Sequence, residues 1–240
     1  MAESNHSGER VLVTGANRGL GLEFVRQYAE RGARVFAGCR NADGAGFLSG
    51  LVDRYPENVM VVPLDVTQRD SIDAAVHQVA LDGDGSLDIL INNAGTSPRG
   101  EEFQNLDAAS MTAVMQVNAI APLIVAQRCH RLLVQSKHPR IVNIGSSMGS
   151  LTCKESGRHY SYAASKAALN MLTRTAAHDL APKGMIVVAL HPGWVQTDLG
   201  GPHAELTPAE SVTGMLSVID GLSASDSSRF LTWSGDEHPW

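Results

Sequence analysis

Two rhythms of apolar residues alternate along the chain. Short runs rich in β-branched residues, at 10–14, 34–38, 59–64, 87–91, 140–144, 185–190 and 230–233, read as strands, the last of them at a sheet edge. Between them, apolar positions recur every three or four residues at about 19–30, 68–80 and 108–134, from Tyr162 to about 182–184, and at 208–219, which predicts helices. The glycine-containing stretch 41–58 shows neither rhythm and is expected to be a loose connection. Strand, glycine turn, helix and strand open a β-α-β unit, so the expectation is one α/β domain over 1–240. A polar 1–9 is expected to be flexible, and a glycine-bearing segment at about 194–220 to act as a substrate lid.

The 240 residues, 43% apolar and 18% charged with 23 glycines, suffice for a sizeable core with many tight turns. A net charge of −6, with no run of Lys or Arg, argues against nucleic acid or an acidic membrane surface as the main partner. No signal-like leader is seen, and no apolar run is read as reaching the ~18 residues of a membrane span, so a soluble cytoplasmic protein is expected. Cys39, Cys129 and Cys153 form neither a disulfide framework nor a C-x-x-C pair, which fits a reducing compartment. Nine histidines without an H-E-x-x-H cluster leave no metal expected.

Candidate chemistry gathers at the ends of the predicted strands. Thr14-Gly15-Ala16-Asn17-Arg18-Gly19-Leu20-Gly21 places glycines where a backbone turns tightly and approaches a pyrophosphate, with a helix amino terminus behind it. After the second strand come Cys39 and Arg40, with no carboxylate to grip a ribose diol. Arg40 and the nearby Arg18 suit the 2′-phosphate of NADP(H), or else are two solvated arginines. Asp65 and Val66 either meet the adenine ring, or Asp65 caps the next helix. Asn92-Asn93-Ala94-Gly95 offers a close approach for a cofactor and amides that tie neighbouring strands together. Asn118, amid apolar residues, must be satisfied by backbone or by a held water. The turn Gly145-Ser146-Ser147-Met148-Gly149 and the loop Pro192-Gly193-Trp194-Val195-Gln196-Thr197 end later strands, with Trp194 a candidate pocket wall. Tyr162 and Lys166, one helical turn apart, put a phenol and an ammonium on one face; the cation is expected to lower the phenol pKa from about 10 toward working pH.

With T-G-x-x-x-G-x-G at Thr14 to Gly21, N-N-A-G at Asn92 to Gly95, Asn118, the serine turn, Y-x-x-x-K and Pro192-Gly193 in register, the chain resembles the short-chain dehydrogenase/reductase family from about Arg10 to Trp233. Its wording is similar to the C-factor and sniffer-like carbonyl reductase branch. The resemblance implies a Rossmann-type doubly wound parallel seven-stranded sheet. It also implies hydride transfer between NADP(H), or NAD(H), and a small carbonyl or alcohol. Tyr162 would be the general acid, Ser146 would hold the substrate oxygen, Lys166 would lower the tyrosine pKa and hold the nicotinamide ribose, and Asn118 would position a water. Gly15, Asn17, Arg18, Gly19, Leu20, Gly21, Arg40, Asp65, Val66, Asn92, Ala94, Gly95, Pro192, Gly193, Val195 and Thr197 would contact the cofactor, with Ser147, Met148 and Trp194 at the substrate. Tyr160 is a decoy, since Ala164 lies four residues on. A homodimer or homotetramer through the helices at 108–134 and 162–181 is expected by resemblance, as is an alternative life as an NAD(P)-binding signalling protein. Between Ser146 and Tyr162 the chain is a few residues longer than is common in the family, which alters the pocket rim.

Overall fold

Val11 and Val13 project from one face of their strand and Leu12 from the other, and all three are fully buried. A strand buried on both faces needs helices above and below it, as parallel sheets provide. The computed structural model describes residues 8–41 and 46–240. Strands β1 (Arg10–Thr14), β2 (Arg34–Cys39), β3 (Val59–Pro63), β4 (Ile89–Asn92), β5 (Arg140–Ile144), β6 (Ile186–His191) and β7 (Phe230–Thr232) form one sheet in the order β3-β2-β1-β4-β5-β6-β7, parallel throughout. Helices α1 (Gly19–Glu30), α2 (Gly46–Arg54) and, late in the chain, Pro208–Gly221 cover one face around Phe24, Tyr28 and Leu216. Helix α3 (Arg69–Asp82), the pair α4 (Ala108–Met115) and α5 (Ala121–Leu133), and α6 (Tyr160–Leu180) lie on the other, around Ile72, Val125 and Ala177. The helix Pro208–Gly221 is α7. Strand order reverses between β1 and β4, and the carboxyl ends that flank such a switch form a ligand crevice.

Four expectations need correction. The stretch 41–58 is not wholly loose: α2 lies within it, its short apolar stripe of Leu48, Leu51 and Val52 having been masked by Gly46 and Gly50; residues 42–45 lie outside the described residues. The helix at 108–134 is α4 and α5 joined by a π-helical turn, Gln116–Ile120. The whole of Ala108–Leu133 is by length and composition apolar enough to cross a membrane (26 residues, mean hydropathy 1.6), contrary to the sequence reading. In the structure it lies against α3 and α6, and Val125, Cys129 and Leu133 point into the core. Within 194–220, the part from Pro208 is core rather than lid, since Val212, Met215, Leu216 and Ile219 of α7 are fully buried. Residues 1–7 lie outside the described residues, and Glu9 pairs with Arg140.

Candidate active site

The glycine loop is held by side chains from β1 and the β4 end. Thr14 Oγ1 accepts from the amides of Asn93 and Ala94, both at 3.0 Å, and Asn93 Nδ2 donates to the carbonyls of Thr14 and Gly15 at 2.9 and 3.1 Å. Gly21 cannot be otherwise: a Cβ there would sit 2.2 Å from the Gly15 carbonyl oxygen and 2.6 Å from Asn93 Nδ2. Helix α1 starts with no side-chain cap and no acidic residue in its first turn. Its leading amides, at Gly19, Leu20 and Gly21, are the ones that no intrahelical carbonyl reaches. A cradle kept free of side chains beneath a bare helix amino terminus fits a pyrophosphate. Asn17 and Arg18 are exposed at its rim. Arg40 stands exposed just past β2, while Arg18 reaches across to Asp198 in the loop after β6 (2.5 Å), with both side chains about two-thirds exposed.

Asn92 turns into the sheet, its amide donating to Asn143 Oδ1 (2.8 Å) and the Pro122 carbonyl (3.2 Å); its part is to tie β4 to β5. Asp65 closes a local turn by accepting from the Thr67 amide and hydroxyl (2.9 and 2.7 Å), and the residue in the cap position of α3 is Gln68. Val66 is buried in the core. Ala94 and Gly95 line the crevice between β1 and β4, Ala94 directly under Gly15.

Ser146 lies two residues past β5 and caps a single tight turn, Ser147–Gly149, by accepting from the Met148 amide at 3.2 Å. That turn lies directly on α6, because a Cβ on Gly149 would approach the Lys166 backbone to 2.6 Å. The close approach sets the Ser146 hydroxyl on the same side as the Tyr162 phenol, where it acts to lower the phenol pKa. Ser147 and Met148 are partly buried beside it. Lys166 is 4% exposed; its Nζ donates to the Ile144 carbonyl at 2.7 Å and lies 5.7 Å from the centroid of the Tyr162 ring. Burial lowers the lysine pKa to about 8. It raises that of Tyr162, with the nearby Ser146 hydroxyl opposing the rise. The expectation that Lys166 pulls the phenol down is not met: its ammonium faces the ring and the Ile144 carbonyl, while desolvation of the phenolate is the larger effect.

Asn118, fully buried in the π-helical turn, donates to the Thr96 carbonyl (2.8 Å) and Ser165 Oγ (3.0 Å), and accepts from the Thr96 amide (2.8 Å). Of the two readings left open, its side chain follows the backbone one. Ser165 in turn donates to the Tyr162 carbonyl at 2.8 Å. The loop after β6 is internally bonded: Val195 bridges to Leu206, Gly200 donates to Thr197 Oγ1 (3.1 Å), and the Trp194 indole, 51% exposed, donates to the Gly200 carbonyl (2.8 Å). Pro192 accepts from Ser211 of α7 at 2.6 Å, and the Gly193 backbone lies against Trp233 and Leu206. Thr197 also stands over Gly19 of the glycine loop.

Sequence reasoning missed the braces. Thr14 and Asn93 hold the loop, a role that neither the glycine motif nor the paired asparagines signal by themselves. Thr96, Ser165 and Glu101, which accepts from Ser161 at the head of α6, carry no local signal because their partners lie 22 to 60 residues away.

Comparison with known proteins gives the same picture. The family described as short chain dehydrogenase matches residues 9–206. The C-signal protein of Myxococcus xanthus is 46% identical over 156 residues, covering 65% of this chain and 94% of that one. Among solved structures, an NADPH-bound carbonyl reductase from chicken fatty liver superposes with a TM-score of 0.92 at 41% identity, over 97% of this chain and 99% of that chain. The carbonyl reductase Sniffer of D. melanogaster superposes with a TM-score of 0.92 at 30% identity, over 98% and 100%.

Proposed function

The chain belongs to the short-chain dehydrogenase family, and from that premise we propose that it is an NADP(H)-dependent reductase converting an aldehyde or ketone to an alcohol. The observation that carries this reading is the convergence of Ser146, Tyr162 and Lys166 at the carboxyl end of β5, beside a glycine cradle that only a bare backbone can form. NADPH, when bound, supplies the hydride for the carbonyl carbon. The chain's own residues do the rest. The first-turn amides of α1 hold the pyrophosphate, and Arg40, with no carboxylate at the end of β2, takes the 2′-phosphate; NAD(H) is the weaker alternative. The Ser146 hydroxyl holds the carbonyl oxygen, and the Tyr162 hydroxyl protonates it. A phenol pushed upward by burial stays protonated near neutral pH, which is the form an acid needs. Lys166 orients the nicotinamide ribose, and Asn118 steadies the wall through Thr96 and Ser165. The chicken and D. melanogaster carbonyl reductases support the substrate class, and the bound NADPH of the former supports the cofactor. Three free thiols suit a reducing cytoplasm. Ile120 of the π-helical turn, Leu123 of α5 and Met171 of α6 leave an exposed apolar face through which copies of the chain would pair.

The likeness to C-signal favours a second reading, a dinucleotide-binding signalling protein with little turnover. One measurement separates them: NADPH and NADH oxidation at 340 nm across aldehydes, ketones, diketones and quinones. Turnover that prefers NADPH and falls at least ~1,000-fold in Tyr162→Phe, with cofactor binding retained, is expected for the reductase. A Tyr162→Phe enzyme with near-normal rates sinks the mechanism, and silence across the panel with cofactor bound favours the signalling reading.

A further inference from the structure

Helix α6, which carries Tyr162 and Lys166, starts without a cap of its own. His159 in the cap position has a left-handed backbone (φ 55°) and its side chain caps nothing; Arg158 before it is also left-handed (φ 64°). Two consecutive non-glycine residues rarely enter a helix this way unless surrounding contacts hold them. The amide at the second helical position is nevertheless satisfied. Ser161 N–H donates to Glu101 Oε2 at 2.9 Å, and the Ser161 hydroxyl donates to the other oxygen of the same carboxylate. Ser161 is 2% exposed, so this acceptor replaces water at that amide. A cap side chain ordinarily bonds the second or third amide of its own helix. Here the acceptor comes from a loop 60 residues earlier, and its charge also meets the positive end of the helix dipole.

The neighbouring contacts run the same way. Glu102 pairs with Arg158 at 3.1 Å, and the Phe103 ring packs on Tyr160 with centroids 6.3 Å apart. At its other end the same loop is bonded through Thr96 to Asn118. The segment 96–103 leaves the carboxyl end of β4 and thus spans from the buried Asn118 to the first turn of the catalytic helix.

We propose that Glu101 is a positioning residue for Tyr162. Its carboxylate replaces the missing cap of α6, fixes the turn in which Tyr162 follows Ser161, and couples that turn to the β4 loop at the mouth of the site. Displacement of this loop is thereby transmitted to the distance between the Tyr162 and Ser146 hydroxyls. The pyrophosphate cradle at the start of α1 and Arg40 after β2 lie on other loops, so the anchor acts mainly on turnover and little on overall cofactor affinity. The kinetic part rests on the reductase reading; the anchoring part does not.

The test pairs steady-state kinetics with residue-resolved amide exchange on the full chain. In Glu101→Ala, kcat is expected to fall about tenfold, the size expected for a lost cap, with NADPH affinity within about twofold. Exchange at Ser161 and Tyr162 should speed by a similar factor, while amides from Leu169 onward keep theirs. Glu101→Gln, which still offers one acceptor oxygen, should recover most of both. Ser161→Ala, which keeps the main-chain bond, should cost less than Glu101→Ala and nothing more in the Glu101→Ala background. Unchanged kcat and unchanged first-turn exchange in Glu101→Ala overturn the proposal, as does exchange that speeds evenly along α6. If Ser161→Ala in an otherwise intact chain costs as much as losing the carboxylate, the main-chain anchor is wrong. Should the wild-type chain turn over no carbonyl while first-turn exchange still depends on Glu101, the reductase reading falls and the anchor stands.

Discussion

Lys166 is held against its own chemical preference. Its amine is buried, donates to one carbonyl at 2.7 Å, and has its pKa lowered to about 8. Between about pH 8 and 10.5 the unfolded chain binds a proton at this lysine that the native chain does not, so native stability rises with pH across that window, and the whole penalty stands below it. That penalty is of order 3 kcal/mol. Lys166→Met keeps the length and removes the charge, leaving only the Ile144 carbonyl short of a partner, at a cost of about 1–3 kcal/mol. The variant is therefore expected to melt at or slightly above the wild-type temperature at pH 7, to lose the stability gain above pH 8, and to turn over at least ~100-fold more slowly. Thermal melts from pH 6 to 10 beside kcat check this; a variant that melts well below wild type at pH 7 contradicts it. Tyr162 belongs to the same argument, because burial raises its pKa and keeps the phenol protonated.

Among the elements, α1 and α6 differ in how their amino termini are used. That of α1 is left bare, whereas α6 is closed from outside by Glu101. A bare start is a ligand site and a closed start is a rigid mount. Gly21 keeps the first of these open. Gly21→Ala must displace either the Gly15 carbonyl or the Asn93 amide that braces it. It is expected to weaken NADPH binding at least ~10-fold and to cost about 1–3 kcal/mol of stability, measured by cofactor fluorescence titration and chemical denaturation. Unaltered affinity would show that the loop relaxes without consequence. The π-helical turn between α4 and α5 is the third such device. It interrupts a 26-residue apolar stretch where Asn118 has to reach Thr96 and Ser165, and such turns commonly mark functional positions.

For the whole molecule, the β7 edge of the sheet is an exposed risk, and residues 236–240 cover it. Beyond β7 the chain folds back: Thr232 donates to the Asp236 carbonyl (2.8 Å), His238 donates to the Phe230 carbonyl (2.7 Å), and Leu231 bridges to Glu237. The Trp240 ring then packs on Phe230 at 5.4 Å, with the Arg174 guanidinium over it at 5.2 Å, while Thr152 donates to the Trp240 carbonyl. An uncovered edge invites pairing with other chains. A chain ending at Gly235 is expected to lose about 2–4 kcal/mol, through the exposed Phe230 and the lost aromatic contacts, and to aggregate on heating. Denaturation and light scattering against the full chain read both, and a truncated chain that stays equally stable and monodisperse would remove this role.

Much of this protein was legible along the chain. Periods of two and of about three and a half residues, glycines at forced turns and the spacing of Tyr162 and Lys166 are local properties, and local sterics dictate what they become. Thus β1 and β5 begin and end where the apolar runs do, and the glycine loop was placed from its letters alone. The sequence was weaker where low-propensity glycines hid a short helix, as at α2, and where an apolar stretch could not reveal what covers it, as at Ala108–Leu133. Tertiary structure alone decided the rest: that desolvation outweighs the lysine at Tyr162, that Arg18 faces Asp198, that Asn92 serves the sheet while Asn93 serves the loop, and that Glu101 closes α6. Each of these depends on burial or on a partner far away in the chain, and neither the dielectric around a side chain nor the identity of a distant neighbour exists until the chain has folded.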